Sequence, residues 1–379
     1  MPDGGQQGHG PGKEPIGRRL DRQLARVGLT RTSALRLALG FVIGFGGAAA
    51  AIFVHLPLPW FLGSLIACLI ASVAHAPFDR PKQVSGAMRA ILGVAVGTAF
   101  APDLLGRFGS MTTSLLLLFP FMIAIIGLGM LYFGRIAGYD QPTAFFCAVP
   151  GGLTDMVTMA EDAGANPRTV TLIQATRIVL ILFLLPFWLQ WVGGKTIGIF
   201  VPGAVHLNEL LLVDAVILVA LGWIGWVIAR RLGLAGAPLV GPMILSGIAH
   251  GLGWTQAKIP QELLILAQVT LGILLGAQFR GLTWREFSST MMWGAGFSIA
   301  LVATTGIVAL AVSWLTGFDS TTVLLAYAPG GQTEMNLLAY ILHLDVAFTA
   351  LHHLVRLAIV IFGAQIVFRA NPKWRPPPS

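Results

Sequence analysis

Two short stretches of this 379-residue chain could bind or carry charge. They are Pro150-Gly151-Gly152-Leu153-Thr154-Asp155-Met156 and Pro329-Gly330-Gly331-Gln332-Thr333-Glu334-Met335. Proline donates no backbone hydrogen bond and glycine tolerates unusual dihedrals, so each stretch can end one helix and start another. Free N–H groups and the helix dipole then gather at Thr154-Asp155 and Thr333-Glu334, which makes an anion site. The plainer alternative is a turn in which Thr and the acid are local caps. Asp155 and Glu334 could also pair with an intramembrane arginine or carry a proton or cation for coupling. Arg177 and Arg356 each follow the acid of their own stretch by 22 residues. They would neutralise that acid, bind a substrate carboxylate or phosphate, or form a structural ion pair or snorkel to an interface. The sign of a bound solute stays open.

Asn336 is a polar candidate just after Glu334, with Val157 at the matching place. His343, His352 and His353 cluster near Asp345 and raise the question of a metal. The first stretch has no matching set, Gln174 stands where His353 does, and adjacent histidines point to different helix faces. The expectation is therefore no metal and no cofactor, with His353 as a proton-relay or hydrogen-bonding residue. Cys68 and Cys147 read as packing residues. Arg89, Gln268 and Gln278 either line a cavity or bond helix to helix. Trp60, Trp188, Trp191 and Trp374 read as interfacial anchors.

The elements that would hold these groups are membrane helices. The chain is 55% hydrophobic and only 11% charged, against about 25% charged in soluble domains. The net charge of +8 falls mostly beside apolar runs. It reads as loop charge bias rather than a nucleic-acid surface. Stretches of about twenty apolar residues span a bilayer. They are expected at 34–54, 57–75, 84–101, 111–133, 168–192, 210–229, 236–254, 261–279, 291–316 and 347–369. Segments 141–162 and 320–343 are apolar but interrupted by the Pro-Gly-Gly breaks. Residues 1–33 read as a mostly disordered cytoplasmic segment, 193–209 as a connecting loop and 370–379 as a Pro-rich tail.

Residues 34–192 and 210–369 repeat one unit. An offset of 179 pairs the two motifs and also Gly93 with Gly272, Gly97 with Gly276, Asp140 with Asp319, and Arg177 with Arg356. Twelve spans in parallel halves would put five loop Lys and Arg inside and six outside. If each Pro-Gly-Gly segment enters and leaves on one face, ten spans remain and the second half inverts. Arg80, Lys82, Arg135, Arg168, Arg230, Arg231, Arg280 and Arg285 are then inside, against Arg107, Lys195 and Lys258 outside. That asymmetry is the expected one. The fold expected is an all-α polytopic transmembrane bundle, with about ten spans, two re-entrant broken segments and two inverted repeats.

The paired Pro-Gly-Gly-x-Thr-Asp/Glu-Met segments resemble those of the bacterial AbrB-type membrane protein family. The second extends from Ala328 to Ala339, and the Pro-rich starts Pro57-Leu58-Pro59 and Ala237-Pro238-Leu239-Val240-Gly241 are similar too. The resemblance covers most of residues 35–370. It implies a duplicated membrane domain, with members labelled ammonia monooxygenase or AbrB regulator of gene expression. A monooxygenase needs convergent His or carboxylate ligands, and a direct DNA-binding regulator needs a soluble reading domain. Neither is visible, so no enzymatic activity is expected.

The function expected is a secondary transporter or exporter of a small solute or ion, by alternating access between inverted repeats. Its expected substrate-binding or coupling residues are Pro150, Gly151, Gly152, Thr154, Asp155, Arg177, Pro329, Gly330, Gly331, Thr333, Glu334, Asn336 and Arg356. A membrane sensor that acts on expression indirectly is the alternative, and a membrane metalloenzyme a third. The expected place is the bacterial inner membrane with both termini cytoplasmic. The partners are the lipid bilayer and a small solute, without nucleic acid, and a homo-oligomer is left open.

Overall fold

The computed structural model describes residues 30–100, 104–191, 194, 198–201, 204–371 and 374, without the side chains of 31, 104–108, 153–155, 191 and 369. These residues form fourteen α-helices and, among them, no strand. In the first half they are α1 (Arg31–Phe53), α2 (Ser64–Val73), α3 (Lys82–Gly97), α4 (Leu104–Leu131), α5 (Gln141–Ala148), α6 (Leu153–Asp162) and α7 (Pro167–Trp191). In the second they are α8 (Leu212–Arg231), α9 (Ala237–Gly251), α10 (Gln261–Gly276), α11 (Trp284–Thr316), α12 (Ser320–Tyr327), α13 (Gln332–Ile341) and α14 (Val346–Ala370). Seven stretches, at α1, α4, α7, α8, α10, α11 and α14, are long and apolar enough to cross a membrane. At the three other expected places the helices are shorter: α2 has 10 residues, α3 has 16 and α9 has 15.

Each Pro-Gly-Gly break falls between two short helices, α5 and α6 or α12 and α13. The chain is extended at Gly152 (ψ 131°) and Gly331 (ψ 136°), and neither helix that follows has a side-chain cap. Asp140 and Asp319, a pair found by the repeat offset, cap α5 and α12 through the Thr143 and Thr322 N–H groups. The helix bounds follow the same offset. α3 and α10, α5 and α12, α6 and α13, and α7 and α14 each lie 179 residues apart at both ends.

The contacts between helices sort them into two bundles, α1–α3 with α8–α10, and α4–α7 with α11–α14. Each bundle takes half of its helices from each repeat. In the first, the crossings are reciprocal. A Cβ on Gly97 of α3 would stand 2.6 Å from Met243 O of α9, and one on Gly276 of α10 would stand 2.6 Å from Leu65 O of α2. These glycines let the backbones touch. Gly97→Val and Gly276→Val are each expected to lower the melting temperature in detergent by several degrees, because neither backbone can yield without unpacking its bundle. Wild-type melting in both would refute the close crossing.

Contacts at the helix ends give the directions. Asp79, before α3, pairs with Arg280, after α10, at 2.8 Å, and Arg80 donates to Gln278 at 3.2 Å. So α3 starts where α10 stops, and these equivalent helices run antiparallel. The Asn166 N–H after α6 donates to Thr143 Oγ1 at the start of α5 (2.9 Å). Phe348, early in α14, packs against Phe318 before α12 at a tilt, with centroids 4.6 Å apart. Each broken segment is thus a hairpin that returns to the end it came from. Along α14, Arg356 holds the tip of the second hairpin and Val360 packs on Gly151 in the tip of the first. Farther on, Trp374 is buried against Phe145 near the mouth of the first hairpin, rather than free as an interfacial anchor. The hairpins therefore enter from opposite ends, and their tips lie roughly one helical turn apart, about 6 Å along α14.

Candidate functional site

A helix that stops inside a membrane leaves carbonyls without donors, and lipid cannot supply them. The ends of α5 and α12 solve this in the same way. Arg356 donates to Ala328 O (2.6 Å) and Gly330 O (2.9 Å), and His353 Nε2 lies 3.2 Å from Leu325 O. In the first half, Gln174 Nε2 donates to Phe146 O (2.7 Å) and Val149 O (2.8 Å). Arg177 donates to Val149 O (3.3 Å) and Gln174 Oε1 (2.6 Å). Gln174 and His353 are equivalent positions, as are Arg177 and Arg356. All four side chains are buried, and the two guanidinium groups lie within electrostatic reach of one another.

These contacts correct one expectation for the second half. Arg356 clamps the carbonyls of its hairpin tip rather than pairing with Glu334. Glu334 instead lies within electrostatic reach of Arg89 of α3. The Glu334 carboxylate folds back over Gly331, where any Cβ would collide with it. Thr333 and Asn336 are buried on the same helix. Asn336 Nδ2 meets Met243 Sδ of α9 at 3.9 Å. Arg177 Nε, His353 Nδ1 and Asn336 Oδ1 have no partner among the described residues. Thr154 and Asp155 lie on the first turn of α6, but their side chains are outside the described residues.

The structure brings Gly151, Gly330, Arg177 and Arg356 to one level and gives Glu334 a place where the two bundles meet. Tyr340, later on α13, lies near Thr98 at the end of α3. Thus α13 packs along α3, whereas α6 makes no comparable contact with α10 among the described residues. The pseudo-symmetry of the halves is broken there. Arg89 is exposed along this contact. Its counterpart one offset away is the buried Gln268.

The three histidines do not converge. His343 is exposed in a left-handed turn after α13 (φ 51°). His352 is buried and accepts from Ser114 Oγ at Nε2 (2.8 Å), while its Nδ1 donates to Phe348 O (2.8 Å). Tyr327 OH donates to Ser114 O. This network ties α12 and α14 to α4. Asp345 caps α14 through the Phe348 N–H at 2.9 Å. Among the described residues, no three His, Cys, Asp or Glu side chains gather as a metal would need.

The family model described as "Transition state regulatory protein AbrB" matches residues 60–371. The chain belongs to the AbrB family. YhjN of Bacillus subtilis (strain 168), an uncharacterised protein, is 26% identical over 351 residues, covering 86% of this chain and 89% of that protein. A protein of Escherichia coli (strain K12), provisionally named as the regulator AbrB, is 23% identical over 359 residues, covering 92% and 97%. The AbrB match takes in both hairpins and both arginine clamps.

Proposed function

We propose that this AbrB-family protein is a secondary transporter or exporter of a small solute that works by alternating access, without a catalytic step. One observation carries the reading: two broken hairpins, entering from opposite ends, meet tip to tip beside the contact between two bundles. Each bundle mixes both repeats, so a shift of one against the other exchanges the environments of the halves. The one-sided contact of α13 with α3 supports a state closed on that side. Arg177, Arg356 and the two helix starts supply positive potential at the tips, and Glu334 and Asp155 supply the opposing charge. In this reading Pro150, Gly151, Gly152, Pro329, Gly330 and Gly331 shape the tips, and Thr154, Thr333 and Asn336 line the site.

The charges support ten spans in two inverted repeats. Arg80, Lys82, Arg135, Arg168, Arg280 and Arg285 gather at one end through the Asp79–Arg280 and Arg168–Glu286 (2.9 Å) ion pairs. Lys258, before α10, lies at the other. We assign the basic end and both termini to the cytoplasm of a bacterium, with the protein in its inner membrane. Cysteines placed at Lys82 and Arg168 are expected to react with an impermeant reagent from the same side, and one at Lys258 from the opposite side. Cys68 and Cys147 are both buried and should stay silent. Labelling of Lys82 and Lys258 positions from one side would refute the inverted arrangement.

The regulator names of the family and of the Escherichia coli relative favour a second reading, a membrane sensor whose site binds but never conducts. Purified protein in liposomes separates the two. Transport predicts movement of a solute, charge or proton that Glu334→Gln alters. No movement of any of them, together with unaltered behaviour of Asp155→Asn and Glu334→Gln cells, refutes the transporter.

A further inference from the structure

The hairpin tips hold more positive charge than closing them requires. Gln174 covers two carbonyls, Phe146 O and Val149 O, with one neutral amide. Yet each tip also carries a guanidinium, Arg177 or Arg356, only 1% and 5% exposed. The two lie within electrostatic reach of one another, and no described carboxylate forms an ion pair with either. Burying a charge without a partner is costly, and a like charge beside it adds to the cost. With Arg89, Asp155 and Glu334 included, three arginines stand against two acids around the tips. One positive charge is left over.

Donors are left over too. Arg177 Nε, and Gln332 Nε2 on the first turn of α13, are buried without a partner among the described residues. The start of α13 is itself covered by the Glu334 carboxylate folded over Gly331. On the Arg177 side, α6 starts from Gly152 without a side-chain cap, and its dipole adds positive potential there. We propose that the solute of this site is a small monocarboxylate, its single negative charge seated between Arg177 and Arg356 on the side of the first hairpin. A carboxylate offers two oxygens to the open donors and cancels the charge left over. A cation would meet two guanidinium groups there, and a dianion would leave a negative charge uncompensated. This class rests on the reading of the tips as a solute site, whether or not the solute then crosses the membrane.

The test is thermal melting of the full-length protein in detergent. Formate, acetate, acetamide, methylammonium and bromide are titrated separately at one ionic strength. Formate or acetate is expected to raise the melting temperature. Acetamide, which has the shape of acetate without its charge, is not, and neither are methylammonium and bromide. Arg177→Gln keeps a donor for Val149 O but not the charge. It should weaken the carboxylate effect roughly tenfold or more, the worth of one charged hydrogen bond. Arg177→Lys should keep most of the effect, and Lys82→Gln, exposed at the basic end, all of it. If Arg177→Gln does not fold, the ligand series on the wild type decides alone. No shift by either carboxylate, an equal shift by acetamide or bromide, or a full carboxylate shift in Arg177→Gln would overturn the monocarboxylate. A carboxylate shift without movement of that carboxylate in liposomes would refute transport and leave the site. Movement of a cation without any carboxylate shift would overturn the class and leave transport.

Discussion

Arg356→Met is expected to remove most of the folded protein from the membrane. The side chain length is kept, but the Ala328 and Gly330 carbonyls lose donors now 2.6 and 2.9 Å away. Each orphaned buried group costs about 1–3 kcal/mol, so the pair costs roughly 2–6 kcal/mol. That is a large part of a usual stability of about 5–15 kcal/mol. Removing a buried cation returns some desolvation energy, which is why Met is a stricter test than an acid. Arg356→Lys should fall between, because one ammonium cannot fork to two carbonyls as a guanidinium does. Arg177→Met should cost less. Arg177 shares Val149 O with Gln174, whose amide bonds there at 2.8 Å. The yield of folded protein in detergent chromatography and its melting temperature measure the order. Wild-type yield and melting for Arg356→Met would mean that the clamp is not needed. If Arg356 served only to neutralise Glu334, Arg356→Met/Glu334→Gln should restore the yield; a carbonyl clamp predicts that it does not.

Much of this architecture was legible from residue types. Proline and glycine act through the backbone, so the breaks at 149–152 and 328–331 could be read without knowing any partner. The offset that pairs motifs in sequence also pairs helix bounds in space. Partners were less legible. The spacing of 22 residues suggested that each arginine meets its own acid. In the second half that distance places Arg356 beside the end of α12 instead, because α14 runs alongside α12 in the same direction. Arg89 was harder still. It comes within electrostatic reach of Glu334 across a bundle contact, and nothing local in α3 signals which helix will arrive there. The adjacent histidines illustrate the same limit. His353 repeats the role of Gln174, whereas His352 joins Ser114 and Tyr327, residues with no counterparts of their type one offset away. Span counting also weakened where packing intervenes. The 15- and 16-residue helices α9 and α3 are bound into a bundle by glycine crossings, so composition alone underdetermines their length.

Glu334→Gln is expected to separate solute exchange from any ion that drives it. Gln keeps the shape over Gly331 and removes the charge within electrostatic reach of Arg89. In the proposed cycle α13 must leave α3 when the bundles shift, and Glu334 then loses that cation. A carboxylate alone at membrane depth costs about 2.5–3.5 kcal/mol, roughly a hundredfold in population. Taking up a proton or a cation removes this penalty and ties the shift to that ion. The neutral amide pays no such penalty, so the shift proceeds without the ion. In proteoliposomes with a pH dye or a potential dye, Glu334→Gln should lose at least tenfold of the ion movement seen with wild type. Solute should still exchange in both directions once identified. Arg89→Gln should act in the opposite sense: the carboxylate loses its partner in the state seen here, so ion uptake is favoured before the shift and the closed α13–α3 contact weakens. Gly331→Ala offers a check without a charge change, since its Cβ collides with the Glu334 carboxylate and displaces it. It should lower ion movement as Glu334→Gln does. Unchanged ion movement in Glu334→Gln and Gly331→Ala would exclude Glu334 as the coupling group and leave the tips to Asp155 and the two arginines.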